Sequence, residues 1–179
     1  MTFTHRPVLL AEAVTSVLGK STSSEQQSIT IIDGTFGRGG HSREILKHLN
    51  AQSKLIAFDK DLQAIAEAKT IQDPRFQIIH ESFASMAEEV PSDSIDGVLL
   101  DLGISSPQVD EAHRGFSFRK EGPLDMRMSN QNPISAAYLV NTASESELIT
   151  IFKQYGEIPN ARRLAEVISR SRGSKDLAT

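Results

Sequence analysis

Apolar residues in the N-terminal part of the chain cluster in short runs, each closed by an acid or a histidine. The runs are Ile29-Thr-Ile-Ile-Asp33, Lys54-Leu-Ile-Ala-Phe-Asp59, Phe76-Gln-Ile-Ile-His80 and Ile95-Asp-Gly-Val-Leu-Leu-Asp101. Short, apolar and bounded by polar residues, they predict buried strands. Helical spacing follows the first run in Ser42-Arg-Glu-Ile-Leu-Lys-His-Leu49, and the second through Leu62, Ile65, Ala66 and Lys69. Residues 7–18 predict an N-terminal helix: Pro7 suits the first turn, and Val8, Leu9, Val14, Val17 and Leu18 make an apolar face. Residues 20–28 read as a polar Ser/Gln-rich connector. Strand–helix alternation to about Leu102 predicts an α/β fold with about four parallel strands joined by right-handed crossovers. After Pro107 the pattern changes to a long loop, then helices near 133–140, 144–155 and 159–172. Leu139, Ile149, Phe152, Leu164 and Ile168 would form their small core.

The turn after the first run, Asp33-Gly-Thr-Phe-Gly-Arg-Gly-Gly-His41-Ser, carries the chemistry. A glycine-rich turn between strand and helix lets backbone approach a ligand, which then meets free N–H groups at the helix N-terminus. A P-loop is excluded, because Gly40 stands where its lysine belongs. The dinucleotide fingerprint fits Gly37 and Gly39, then fails at Ser42. A loop opened by Asp33 and lacking a phosphate clamp suits a ligand with a nucleoside and an amino-acid tail. Asp33 would meet the ammonium, and the N–H groups of the Gly37, Gly39 and Gly40 segment the carboxylate. The competing reading is a tight turn that packs the helix on the sheet.

Asp59 stands about where an acid accepts hydrogen bonds from ribose hydroxyls, some 20 residues past such a loop. Asp61 caps the helix that begins there. Phe83 would cover a face of the base or, equally, serve as core. Asp33, Asp59, His80 and Asp101 all fall at strand ends, where open α/β sheets bind ligands.

Composition adds exclusions. With 179 residues, 39% hydrophobic and 23% charged, the chain can bury a core and is not disordered in bulk. No apolar run reaches the length of a membrane span, and no signal-peptide pattern opens the chain. The absence of cysteine excludes disulfides and thiolate metal sites and fits the cytoplasm; the five histidines show no ligand spacing.

Several long motifs in order carry a resemblance over essentially the whole chain. They are His5-Arg-Pro-Val-Leu-Leu-Ala-Glu12, the 33–42 turn, Asp101-Leu-Gly-Ile-Ser-Ser-Pro-Gln-Val-Asp110 and Arg114-Gly-Phe-Ser-Phe-Arg-Lys-Glu-Gly-Pro-Leu-Asp-Met-Arg-Met128. Together they resemble the bacterial 16S rRNA (cytidine-N4) methyltransferase family, RsmH or MraW. The resemblance implies a Rossmann-like S-adenosylmethionine-dependent methyltransferase sheet with a helical insert domain. It also implies methylation of a cytidine amine in the decoding region of the small ribosomal subunit's 16S rRNA, in the cytoplasm. Cofactor contacts are implied from Gly39, Gly40, His41, Asp59, Phe83, Asp101 and Gln108; His41 by itself would read only as a helix N-terminal histidine. Residues 1–107 would be the N-terminal part of the methyltransferase domain, 108–132 an active-site loop and 133–179 the insert.

Methyl transfer from a sulfonium asks the protein chiefly to align donor and acceptor. Cytosine's amine is a poor nucleophile, so an oxygen that holds its hydrogens helps. Amino-methyltransferases often use a [Asp/Asn/Ser]-Pro-Pro-aromatic turn for this purpose. Ser105-Ser106-Pro107-Gln108 matches it in part, which makes Asp101, Ser105, Ser106 and Pro107 the catalytic candidates.

A net charge of −4 does not announce an RNA binder. Locally, however, Arg114, Arg119, Lys120 and Arg127 interleave with Phe116 and Phe118, which suits phosphate contact and base stacking. A packing segment with solvated charges is the competing reading. The basic helix over 160–173 would meet RNA phosphates or a partner, or be a solvated face. The sheet predicted here is short of the seven or so strands of this fold, so an N-terminal fragment is expected, with an open edge that invites pairing with a second copy. A non-catalytic cofactor- or RNA-binding fragment is the alternative function; a nicotinamide oxidoreductase is disfavoured by Ser42.

Overall fold

The acid-ended runs form β1 (Thr30–Asp33), β2 (Lys54–Phe58), β3 (Phe76–Ile79) and β4 (Gly97–Leu99), paired in parallel in the order β3-β2-β1-β4. The computed structural model describes residues 7–19, 28–172 and 176–179; the predicted connector at 20–27 and the motif residues His5 and Arg6 lie outside them. The chain divides into two compact units, Met1–Ser105 and Ser106–Thr179.

In the first unit, helices α1 (Leu10–Leu18), α2 (Gly40–His48) and α3 (Leu62–Ala68) accompany the sheet. Side chains alternate faces along a strand, so neighbouring residues of β1 build different cores. Ile31 joins Leu55 and Leu99 with Val14 and Leu18 of α1 and Ile45 and Leu46 of α2. Ala64 and Ala68 of α3 pack with Ala57 and Phe36. Ile32 points the other way and meets Phe58 and Val90, with Phe83 and Met86 packed against them. Among the described residues, the elements packed on that second face are a 3-10 turn (Phe83–Ser85) and the single-turn α4 (Met86–Glu89).

The cover runs out at β4. Val98 is in register with Ile32, yet Ile32 is 2% exposed and Val98 48%. Leu100, Leu102 and Ile104 are exposed as well.

The N-terminal helix is shorter than predicted. Leu9 sits at φ 51, in the left-handed region, and the helix starts only after it. Val8 and Leu9 are exposed, so the buried face is Val14 and Leu18, with Leu10, Ala13 and Val17 partly buried against the same core. The glycine turn differs in the opposite sense: α2 begins at Gly40, ahead of Ser42.

The second unit holds α5 (Ser106–Asp110), α6 (Ala136–Thr142), α7 (Glu145–Gln154) and α8 (Ala161–Ser171). Ser144 and Glu147 form a capping box at the start of α7, each side chain meeting the other residue's backbone N–H. Its core differs from the predicted set: Leu148, Ala161 and Ala165 are buried, whereas Leu139 is 36% exposed. Two alanines on one face let α8 lie close to α7, so the centre is filled by small residues and one leucine.

Candidate functional site

The chain runs outward from β1 to β2 and β3, then returns to the other side of β1 as β4. Such a switch point opens a crevice outside the carboxyl ends of the strands, here between β1 and β4. The glycine turn leaves β1 at that crevice and is fastened on both sides. Gly34 N–H donates to Leu99 O (2.9 Å) beside β4, and Phe36 N–H to Phe58 O (3.1 Å) in β2. The Phe36 ring is 3% exposed and sits 5.7 Å from that of Phe76.

Asp59 follows β2 and accepts from Gly37 N–H (2.8 Å) on one oxygen and from Asp61 N–H (2.8 Å) on the other. A carboxylate has about four lone-pair positions, so those two bonds leave capacity for further donors such as ribose hydroxyls. Asp61 caps α3 by accepting from Gln63 N–H (3.0 Å), as expected.

Asp33 is placed differently from the ligand-facing carboxylate pictured from sequence. It is 0% exposed, accepting from Ser42 Oγ (2.6 Å) and Thr35 N–H (3.2 Å). Burial pushes its carboxyl above the ordinary 3.8, against the opposing pull of those two bonds and of nearby His41. Its role in this geometry is to hold the turn to the start of α2.

A stability consequence follows. A raised folded pKa means that the folded state binds the proton more readily than the unfolded chain. Stability from this group therefore falls as pH rises from 3.8 through the raised value. Asn at this position can still accept from Thr35 and donate to Ser42 without a buried charge. Asp33→Asn is expected to melt at or above the temperature of the unsubstituted chain at pH 7, with the difference shrinking toward pH 4. Thermal melts of both proteins across that range test this; a pH-independent deficit in the variant would contradict it.

The first N–H groups of α2, at Gly40, His41 and Ser42, have no acceptor inside the helix, which makes this a place for an anionic group. Gly39, the N-cap, has φ 71, and a Cβ there would lie 2.6 Å from Phe36 Cζ. Gly37 has φ 55 with open space around it. Gly39→Ala is expected to cost ~2–3 kcal/mol, combining left-handed strain with displacement of the Phe36 ring. Gly37→Ala should cost about 1 kcal/mol, from strain alone. Thermal unfolding followed by circular dichroism separates the two; equal losses would remove the Phe36 contact as the cause.

Asp101 lies just past β4, its backbone N–H donating to Thr35 Oγ1 (2.7 Å) and its side chain 55% exposed. His41 Nδ1 is 3.9 Å from Asp101 Oδ2, while His41 Nε2 is buried without a hydrogen-bond partner. His80 closes β3 and faces Lys60 O at 3.3 Å. Phe83 is packed beside Ile32 and Phe58, and a Cβ on Gly34 would touch its Cβ at 3.0 Å. Core packing is thus part of what Phe83 does. Thr35 was missed from sequence; its bond to Asp101 spans 66 positions and leaves no local signal.

The remaining candidates fall across the unit boundary. Ser105 ends the first unit; Ser106, Pro107 and Gln108 belong to α5 of the second, where Gln108 is buried. The sequence predicts a long loop after Pro107; the structure instead carries α5 over Ser106–Asp110, whose first turn tolerates the proline.

Three of the four loop cations are tied into the protein, Lys120 through Asp110 O. Arg114 is 5% exposed and donates to Arg127 O (3.1 Å) and Met128 O (3.2 Å). Arg127 pairs with Asp125 (2.7 Å) and donates to Asn132 O (2.9 Å). In α8, Arg172 donates to Val140 O and Ala143 O (3.1 and 2.6 Å) at the end of α6, and Arg170 pairs with Glu166. Arg162 and Arg163 remain exposed.

Among the described residues, no cluster of three or more His, Asp or Glu could hold a metal, and no helix is long and apolar enough to cross a membrane. What the first unit offers is a carboxylate suited to a diol, helix N–H groups suited to a carboxylate, and, on the first turn of α2, a buried imidazole nitrogen without a partner. Among the described residues of the turn, the one cation, Arg38, lies 3.9 Å from Glu67.

Residues 2–179 match the model of the MraW methylase family. The chain is similar to proteins named ribosomal RNA small subunit methyltransferase H in several bacteria. It is 53% identical over 175 residues to that of Polynucleobacter asymbioticus, covering 96% of this chain and 55% of the relative. It is 50% identical over 179 residues to that of Methylobacillus flagellatus, covering 98% and 54%. It is 48% identical over 180 residues to that of a Janthinobacterium species, covering 99% and 55%. The chain thus spans about half the length of the curated relatives it matches.

Proposed function

The chain belongs to the MraW methylase family, and on that premise we propose that it supplies the S-adenosylmethionine-binding part of a cytoplasmic enzyme that methylates the N4 amine of a cytidine in the decoding region of 16S rRNA. The observation that carries the reading is the turn from Asp33 to Ser42, tied to Asp59 through Gly37 and to Asp101 through Thr35. The names of the relatives support the ribosomal RNA substrate. In this reading residues 108–132 form an active-site loop and 133–179 a helical insert.

Bound at the turn, S-adenosylmethionine supplies a methyl group already activated by its sulfonium. Asp59 orients the ribose, and the N–H groups of Gly40 and His41 receive the carboxylate. Asp101 keeps half of its side chain exposed at the crevice. Its carboxylate accepts a hydrogen of the cytosine amine, which concentrates the nitrogen lone pair toward the methyl group and gives the departing proton an acceptor.

Calorimetry tests the first half of the reading: S-adenosylmethionine and S-adenosylhomocysteine should bind and NAD should not. Transfer of labelled methyl to small subunits lacking the modification tests the second. Cofactor binding without transfer would favour the alternative, a cofactor- or RNA-binding portion without activity of its own. The span of half the relatives' length supports keeping that alternative.

We also infer self-association through the bare side of β4. Val98, Leu100, Leu102 and Ile104 repeat every second residue and are 42–70% exposed. Exposed apolar residues on and just past an edge that no described strand pairs favour a second copy. Replacing Leu102 and Ile104 by Glu is expected to shift the chain toward monomer in sedimentation at micromolar concentration; an unchanged distribution argues against this surface.

A further inference from the structure

The loop of the second unit presents one aromatic ring to solvent: Phe118 is 95% exposed, with the Arg119 guanidinium 5.8 Å from its centroid. This loop is held in place. Arg114 donates to the carbonyls of Arg127 and Met128, Met126 N–H donates back to Arg114 O (3.0 Å), and Lys120 Nζ donates to Asp110 O. Gly115 takes φ 75 with Pro123 O against it, a position that only glycine fills. The held loop bounds an open cavity of about 600 Å³, walled by Phe116, Phe118, Leu124 and Met126, with both Lys120 and Glu121 on its polar side and Arg119 outside its lining. Cavities of roughly 300–1,000 Å³ take small ligands the size of a nucleotide.

We propose that one unpaired nucleotide of the RNA substrate docks at the mouth of this cavity, its base stacked on the exposed ring of Phe118 and its phosphate met by Arg119 beside that ring. The inference rests on the rRNA reading above and names a binding subsite for it. An exposed ring paired with a guanidinium is what single-stranded nucleic acid uses: every base has a face to stack, and the cation answers the phosphate. A duplex buries its base faces and cannot use the ring. A protein partner would call for a wider apolar surface than one ring flanked by Arg119 and Lys120. With Arg114 and Arg127 committed to the scaffold, Arg119 is the loop cation left beside the ring.

The sequence contains no tryptophan, so Phe118→Trp introduces a single indole at the proposed stacking face. Titration with a cytidine-containing single-stranded hexaribonucleotide should quench its emission by more than half, less so at raised salt, and the matching duplex should leave it nearly unchanged. Phe118→Ala should weaken binding of the single strand about tenfold, with Phe118→Tyr close to the unsubstituted chain and Arg119→Gln flattening the salt dependence. The subsite is overturned by absence of quenching, by equal quenching with duplex, or by an indole already blue-shifted without RNA, which would mean that protein covers the ring. Calorimetry of S-adenosylmethionine on the unsubstituted chain is read separately: cofactor binding without RNA quenching removes the subsite and leaves the methyltransferase reading standing.

Discussion

Asp59→Ala is expected to weaken S-adenosylmethionine binding by about 30- to 1,000-fold. The carboxylate does two jobs at once. It holds Gly37 N–H at 2.8 Å and so sets the path of the turn, and in the proposed reading its remaining lone pairs would accept from the ribose hydroxyls. Hydrogen bonds to a charged group contribute ~1.5–3 kcal/mol each, so losing ribose contacts and the loop tie together amounts to about 2–4 kcal/mol. Asp59→Asn keeps one acceptor for Gly37 and turns the other position into a donor, so its loss should fall between. Calorimetry on the three proteins measures the series. Affinity of the Ala variant within threefold of the unsubstituted chain would remove Asp59 from the site.

Asp101→Asn is expected to separate chemistry from binding. The side chain is half exposed and its backbone is anchored by Thr35, so the amide should occupy the carboxylate's position with little rearrangement. What changes is the loss of an acceptor for the amine's proton. General-base contributions amount to about 10²–10⁴ in rate, and a loss of that size in single-turnover methyl transfer to small subunits is expected. Cofactor affinity should stay within a few fold, because a neutral acceptor remains. Full turnover in the variant would assign the proton to another group, with the Ser105–Pro107 turn next in line.

How much of this was legible beforehand depended on how local the signal was. The strands announced themselves because a buried parallel strand needs a continuous apolar run, and each run here ends in a polar residue. Strand order needed no more than the loop and its acids to be useful. Long-range partners left no trace. Ser42 read only as a mismatch to the dinucleotide fingerprint, yet it is fully buried with its hydroxyl on Asp33. Arg114 could be read as an RNA contact or as packing because its acceptors are backbone carbonyls, which every residue carries and no sequence reveals, whereas the partner of Arg127, Asp125, stood two residues away. Leu9 broke the predicted helix through a backbone angle rather than a side chain. In the second unit the apolar spacing located the helices, but burial fell to Leu148 and two alanines, because which residues meet depends on how closely α8 approaches α7.

The turn after β1 is sewn to both of its neighbours, through Leu99 O on one side and Phe58 O on the other. A segment so stitched has little slack to surrender when a guest arrives. Encounter should therefore be governed by diffusion into a standing cradle rather than by waiting for one to assemble, and amide protons of Gly34 and Phe36 should resist exchange as stubbornly in the empty protein as those of the strands around them.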